Sequence, residues 1–312
     1  MFQQFLSFRD QFAPSISNAK FKTSNSLEAP VWPDASADVL RSDSFLHRLA
    51  LNQLVTVRWT LDEDLEAYRE KSIPAIGVSW RKLCESGVQQ GIRKIQRSGL
   101  AVSNLSWVGG FTGQHGYGLR ETILEARRAI RVAAQLRAES VTVITGAQNR
   151  HIDSHACRLV TQSMRELAEL AAIYNVKLAL QPMHAIYAQN WTFLQSLDDA
   201  LEMLDRIDHP SVGLALGTYH LGEEDKVIER VRDIIDRIVI VQLADRRCSP
   251  KNENDQCLPG EGVLPIRALV ASLEAHGYDG WYQTEVWSQD LWKLDHHDLI
   301  DRCRTAHLRC MP

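Results

Sequence analysis

The nine residues IVIVQLADR, Ile238 to Arg246, decide how this chain folds. Four apolar residues run unbroken, a glutamine interrupts them, two more apolar residues follow, and an acid and a base close the stretch. A strand with one wet face alternates apolar and polar side chains, whereas a strand covered on both faces reads as nearly continuous apolarity. This stretch is of the second kind, so it predicts a parallel sheet with helices packed on it. Working outward, similar runs recur at Leu49–Leu54, Ala75–Ser79, Leu100–Val108, Val141–Gly146, Val176–Pro182, Val212–Gly217 and Trp281–Trp287. With the first run they make eight.

Amphipathic stretches lie between the runs. Leu119–Leu136 places Ile123, Ala126, Ile130 and Ala133 at helical spacing with arginines and glutamates between them, and Cys157–Tyr174 repeats the pattern with Leu159, Met164, Leu167 and Leu170. Leu201–Ile207, Val227–Ile235 and Ile266–His276 are shorter versions. Asp62 and Asp198 fall near helix starts, where a side-chain acceptor can take up free backbone donors, and His276-Gly277 supplies a glycine stop. Eight alternations of strand and helix predict a closed (β/α)8 TIM barrel over residues 46–312. A doubly wound open sheet is the competing α/β reading, but no GxGxxG follows the first strand. Residues 1–45, which include NAKFKTSNSLEAPVWPDASAD, do not fit the repeat and read as an irregular N-terminal extension, with Phe2, Phe5, Phe8 and Trp32 as its apolar contacts.

Composition narrows the class. The chain has 312 residues, is 45% hydrophobic and 24% charged, and carries a formal net charge of -4. That balance gives no general basic field to attract a nucleic acid. No run approaches the roughly 20 apolar residues of a membrane span. The start MFQQFLSFRDQF lacks a basic region followed by an apolar stretch, so it does not read as a secretory signal. Six cysteines, Cys84, Cys157, Cys248, Cys257, Cys303 and Cys310, show no CxxC spacing and read as reduced thiols of a cytoplasmic protein. Cys248 and Cys257, flanking one loop, are the one pair placed to form a bridge.

In a (β/α)8 barrel the reacting groups sit at the carboxyl ends of the strands and in the loops that follow. That rule selects Asn52, Ser79, Trp80, Trp107, Gln148, Gln181, His184, Thr218, His220, Gln242, Asp245, Glu285 and Trp287. Amides, hydroxyls and flat indole faces together suit a sugar or polyol. Among the last four strand tips, Gln181, Gly217, Gln242 and Glu285, only Glu285 can act as an anionic base or hard metal ligand. Desolvated without a metal, its pKa should rise. Glu261, in PGEG, reads as part of a rigid turn, and His296-His297 on the last helix as solvated surface.

From Leu49 to Cys303 the chain resembles the sugar phosphate isomerase/epimerase family, the xylose isomerase-like TIM barrels that include ketose 3-epimerases and inosose dehydratases. The resemblance is carried by LNQLVTVRWTLDEDLEAYREKSIPAIGVSW, LALQPMHAIYAQNWTFLQSLDDAL, VGLALGTYHL, VQLADR and LPGEGVLPIRALVASLEAHGYDGWYQTEVWS. It implies a divalent metal (Mn, Mg, Co or Zn) held by Glu, Asp, His and Glu from strands five to eight, with the two glutamates moving a carbon-bound proton. These positions fall on Gln181, Gly217, Gln242 and Glu285, so one of the four family ligands is kept. The expectation is therefore no resident cofactor, or a weakly held divalent ion on Glu285. His220 stands where the family often has a substrate-contacting His and is the second candidate catalytic residue. Arg246 or Arg247 could hold a substrate hydroxyl, carboxylate or phosphate. Family analogy also implies a homo-oligomer.

Two functions stay open: a divergent sugar or cyclitol isomerase, epimerase or lyase, and a catalytically inactive carbohydrate-binding or partner subunit. Phosphodiester chemistry of the endonuclease IV kind needs a cluster of zinc-binding His and acids that these tips lack.

Overall fold

The computed structural model describes residues 46–113, 117–222 and 226–312. The extension expected over residues 1–45, with Trp32 and its phenylalanines, lies outside the described residues. Eight parallel strands close into a barrel in sequence order: β1 Leu49–Asn52, β2 Ala75–Ser79, β3 Ala101–Gly109, β4 Ser140–Ile144, β5 Lys177–Leu180, β6 Val212–Gly217, β7 Ile238–Leu243 and β8 Tyr282–Thr284. The barrel closes where β8 pairs with β1, Ala50 against Gln283. The fold is the (β/α)8 TIM barrel that the repeat predicts. Strands β1, β4, β5, β7 and β8 end sooner than their apolar runs do, because the residues after each of these tips turn into the loops at the barrel mouth, while β2 and β6 end with their runs and β3 goes on to Gly109.

The helices follow the amphipathic stretches. They are α1 Leu61–Glu70, α2 Trp80–Glu85, α3 Val88–Ser98, α4 Leu119–Leu136, α5 Asp153–Ile173, α6 Leu197–Ile207, α7 Thr218–Leu221, α8 Val227–Ile234, α9 Ile266–Ala275 and α10 His296–Cys310. In α4, Ala126, Ile130 and Ala133 are buried against the barrel while Leu124 stays exposed. Asp62 and Asp198 are not the caps. Thr60 and Ser196 are, each in a capping box with the residue three positions on. The two aspartates sit in the first turn, where they suit the helix dipole and pair with Lys94 and Arg230. The glycine stop of α9 is present: Gly277 has φ +83, and the Tyr278 N–H returns to Leu273.

Gly109 closes the β3–β4 seam at φ +121, where an added Cβ would stand 1.8 Å from the Ile144 carbonyl oxygen. Cys248 and Cys257 form no bridge, and both thiols are free. His296 is 4% exposed, packed on Trp59, and so is not the solvated residue expected. No helix among the described residues is long and apolar enough to cross a membrane.

Candidate active site

Strand register brings the tips of β6 to β8 into one row, with Gly217 beside Gln242 and Gln242 beside Gln283. Glu285 stands two residues beyond Gln283, on the same inward face by the alternation of a strand, and is 6% exposed. Gln181 joins the row from β5 through its N–H to the Val143 carbonyl.

A directed chain of hydrogen bonds crosses the mouth. Trp107 Nε1 donates to Gln181 Oε1 at 3.1 Å, Gln181 Nε2 to Gln242 Oε1 at 2.8 Å, and Gln242 Nε2 to Glu285 Oε2 at 2.9 Å. An indole N–H can only donate, so Gln181 must turn its oxygen to Trp107; each amide NH2 then faces the next acceptor, and the chain ends on the carboxyl. Asn52 Nδ2 and Gln283 Nε2 reach the same Oε2 at 2.9 and 3.1 Å. Burial pushes the Glu285 pKa up to about 8, and the donors from Gln242, Gln283 and Gln181 hold it from rising further. The bonds from Asn52, Gln242 and Gln283 all converge on Oε2.

This set does not fit a divalent metal. A hard cation needs several oxygens facing one point. Here the Gln181 and Gln242 oxygens are occupied by Trp107 and Gln181, and the groups facing the one carboxylate are N–H donors. Gly217 offers no ligand, and a Cβ there would lie 2.9 Å from His220 Cδ2, so the imidazole has taken the space of a side chain at that position. Among the described residues no group of three or more His, Cys, Asp or Glu is placed to hold an ion.

His220 Nδ1 accepts the backbone N–H of His184 at 3.3 Å, which leaves the ring proton on Nε2. Burial, with His184 beside it, pushes the imidazole pKa down to about 3, so the ring is neutral and a donor. His184 Nδ1 caps the next turn by accepting from Ile186 N–H, and its pKa is lowered by burial and by the Arg246 charge. Arg246 is itself buried, in the field of Tyr219 and Asp255. Arg247 is exposed, 3.6 Å from Glu261, and Glu261 also takes two bonds from Arg302, as a turn residue would.

Three expected site residues lie elsewhere. Trp80 opens α2 and points between helices, its Nε1 donating to Glu125 and its ring under Arg128. Gln148 is exposed and donates to His151 O within its own loop. Asp245 is fully buried but clamps the PGEG turn, accepting the backbone N–H groups of Gly260, Gly262 and Leu264. Residues the sequence reading missed are Gln283, Tyr187, Trp191, Glu253 and Gln256. Only Gln283 carried a signal, standing two residues before Glu285 on one strand face.

Aromatic rings roof the site. Trp107 lies 5.6 Å from Trp191 and 5.0 Å from Trp287, Trp191 lies 5.0 Å from Trp287, and Tyr187 stands edge-on to both Trp287 and His220. Beneath them, the void lined by Gln181, Gly217, His220, Gln242, Gln256, Glu285 and Trp287 measures about 10 Å³, the room of about one water.

Residues 67–304 match the family model described as xylose isomerase-like TIM barrel. A 3-dehydroshikimate dehydratase of Pseudomonas aeruginosa is 23% identical over 75% of this chain, a match that spans 37% of that relative's length. A 3-dehydro-D-guloside 4-epimerase of Escherichia coli is 25% identical over 67% of this chain and 81% of its own, and an inosose isomerase of Bacillus subtilis is 22% identical over 45% and 51%. Among solved structures, a protein from Sinorhizobium meliloti superposes with a TM-score of 0.79 at 23% identity, covering 85% of this chain and 99% of that one. The IOLI protein with a bound zinc atom gives 0.75 at 19%, covering 84% and 97%.

Proposed function

The chain belongs to the xylose isomerase-like TIM barrel family, and from that premise we propose that it is a divergent isomerase, epimerase or lyase of a small sugar or cyclitol, with a degenerate metal site. The observation that carries the reading is Glu285, a carboxyl held at the barrel mouth by three neutral donors and pushed up to about 8. A buried acid with no counter-charge, titrating near neutral pH, is what a proton-transfer site requires. Relatives named as an inosose isomerase, an inosose dehydratase and a 3-dehydro-D-guloside 4-epimerase support the substrate class.

In this reading Glu285, once ionised, takes the proton from a carbon next to a carbonyl. The C–H electron pair becomes the double bond of an enediol(ate), and the carbonyl oxygen takes up the charge. His220 Nε2–H supplies the hydrogen bond to that oxygen. Return of the proton from Glu285 to the neighbouring carbon, as that carbon's hydroxyl proton passes to the former carbonyl oxygen, gives an isomer; its transfer to a departing β-hydroxyl gives a dehydrated product and water; and its return to the opposite face, once the enediol has turned over against Glu285, gives an epimer. No step needs a divalent ion. The surroundings are those of a cytoplasmic protein with a small-molecule partner.

The 10 Å³ void favours a second reading: a catalytically inactive family member that binds carbohydrate or stands beside an active relative, since no sugar enters this conformation. The two separate on deuterium incorporation from D2O into a panel of ketoses, inososes and 3-keto sugars, after exhaustive chelation. Incorporation by the wild type that Glu285→Gln abolishes establishes the first reading. Thermal stabilisation by a sugar without incorporation establishes the second, and neither response sinks both.

A further inference from the structure

The loop after β7 crosses the mouth and is tied to the loop after β5 by one side chain. Glu253 Oε1 accepts Asn190 Nδ2 and Oε2 accepts Trp191 Nε1, both at 2.9 Å, while the Glu253 carbonyl accepts the Tyr187 hydroxyl at 2.7 Å. Gln256, three residues on, donates to that same hydroxyl at 3.0 Å and exchanges two bonds with the Trp287 backbone. Tyr219 adds a bond to Asp255. Loop residues 247–255 read RCSPKNEND and are exposed or partly so. They contribute no large apolar side chain, so the loop is held down by polar contacts that water can replace rather than by a packed core. Gln256 and Trp287 reach through to line the void beside Glu285. Trp191, whose indole is tied by Glu253, is packed on Trp107 and Trp287.

We propose that residues 247–256 are a lid over the barrel mouth, that Glu253 is its latch, and that a ligand reaches Glu285 only when Glu253 releases Asn190 and Trp191. Release frees Trp191 and Gln256 together, because both are held through the same loop. What opens is a site walled by indole faces and edged by the Tyr187 hydroxyl, the Gln256 amide and His220. That set suits an uncharged polyhydroxylated ring, stacked on its C–H face and bonded at its rim. The ligand class rests on the function proposed above; the lid does not.

Hydrogen–deuterium exchange of the full chain tests the latch. The amides of Trp191, Gln256 and Gln289 are bonded to Tyr187, Trp287 and Asn254 carbonyls and report on both sides of the closure. Glu253→Ala should speed their exchange by roughly tenfold or more, with β4 to β6 unchanged, while Lys251→Ala on the same loop leaves all of them as in the wild type. Unchanged exchange at these amides in Glu253→Ala, or full exchange in the wild type on the time scale of an unprotected loop, overturns the lid. Accelerated exchange confined to the barrel strands also overturns it, since the substitution would then act on the whole fold. If the lid amides respond as expected but no sugar labels or stabilises Glu253→Ala, the lid stands and the functional reading fails.

Discussion

Asp64 and Glu285 are both buried carboxylates at the carboxyl end of the barrel, served by neighbouring residues of one strand tip and its loop. Asn52 turns inward to Glu285, and Gln53 turns outward to Asp64. Asp64 also has Lys82 Nζ at 2.7 Å and the Thr56 hydroxyl, and Lys82 donates further to the Thr56 carbonyl. Burial raises the Asp64 pKa and lowers that of Lys82, and in each case the partner's charge works against the shift. Glu285 has only neutral amide donors and rises to about 8. Where an acid serves to brace the β1 loop, the chain supplies a cation. At the tips where the family resemblance implies a metal, Glu285 faces amide donors and no cation, and burial raises its pKa towards working pH.

The comparison breaks most sharply at the brace. Lys82→Met leaves Asp64 charged and buried without its cation, and should lower stability to denaturant by about 3–5 kcal/mol. A smaller loss would mean that Asp64 is neutral and the two acids are not opposites. The next effect is on Glu285 itself. Its folded pKa lies above its unfolded value of 4.5, so its favourable contribution is fully present below pH 4.5 and is lost as pH rises towards 8. From pH 5 to pH 7 that loss amounts to about 2–3 kcal/mol, and Glu285→Gln should remove this part of the slope. Parallel stability curves for the two proteins would show that the acid is not desolvated.

The smallest effect concerns the metal. Gln181→Glu, Gly217→Asp and Gln242→His together restore the family ligands, but the Gly217 Cβ lands 2.9 Å from His220 Cδ2. The triple variant should therefore bind Mn²⁺ well only when His220→Ala is added, with stabilisation of about 1–2 kcal/mol at free Mn²⁺ ten times its Kd. Mn²⁺ stabilisation of the wild type in a thermal scan would contradict the misfit of these tips to a divalent metal.

Strand count, order and type were legible because the apolar runs are short, rich in β-branched residues and separated by amphipathic helical stretches, as IVIVQL shows, and those features together separate a two-sided buried strand from a buried helix. The positions of Gln181, Gly217, Gln242 and Glu285 followed from the same runs. The tip rule failed at Trp80 because the residue after Ser79 starts a helix and swings outward, and at Asp245 because a buried acid can serve its own loop. His296 was misread because a helix start can be covered by a distant loop, here through Trp59. Glu253, Trp191 and Tyr187 left no trace in the sequence: their meeting depends on two loops crossing, about which periodicity says nothing.

The central claim is that Glu285 sits among hydrogen-bond donors, without a cation, as an acid shifted to near neutral. Carbon-13 NMR of glutamate side-chain carboxyls through a pH titration, assigned with Glu285→Gln and repeated with and without Mn²⁺, measures this directly. An apparent pKa near 8, unmoved by Mn²⁺, is the predicted result. A titration near the ordinary 4.5, or one that Mn²⁺ drags downward, would contradict it.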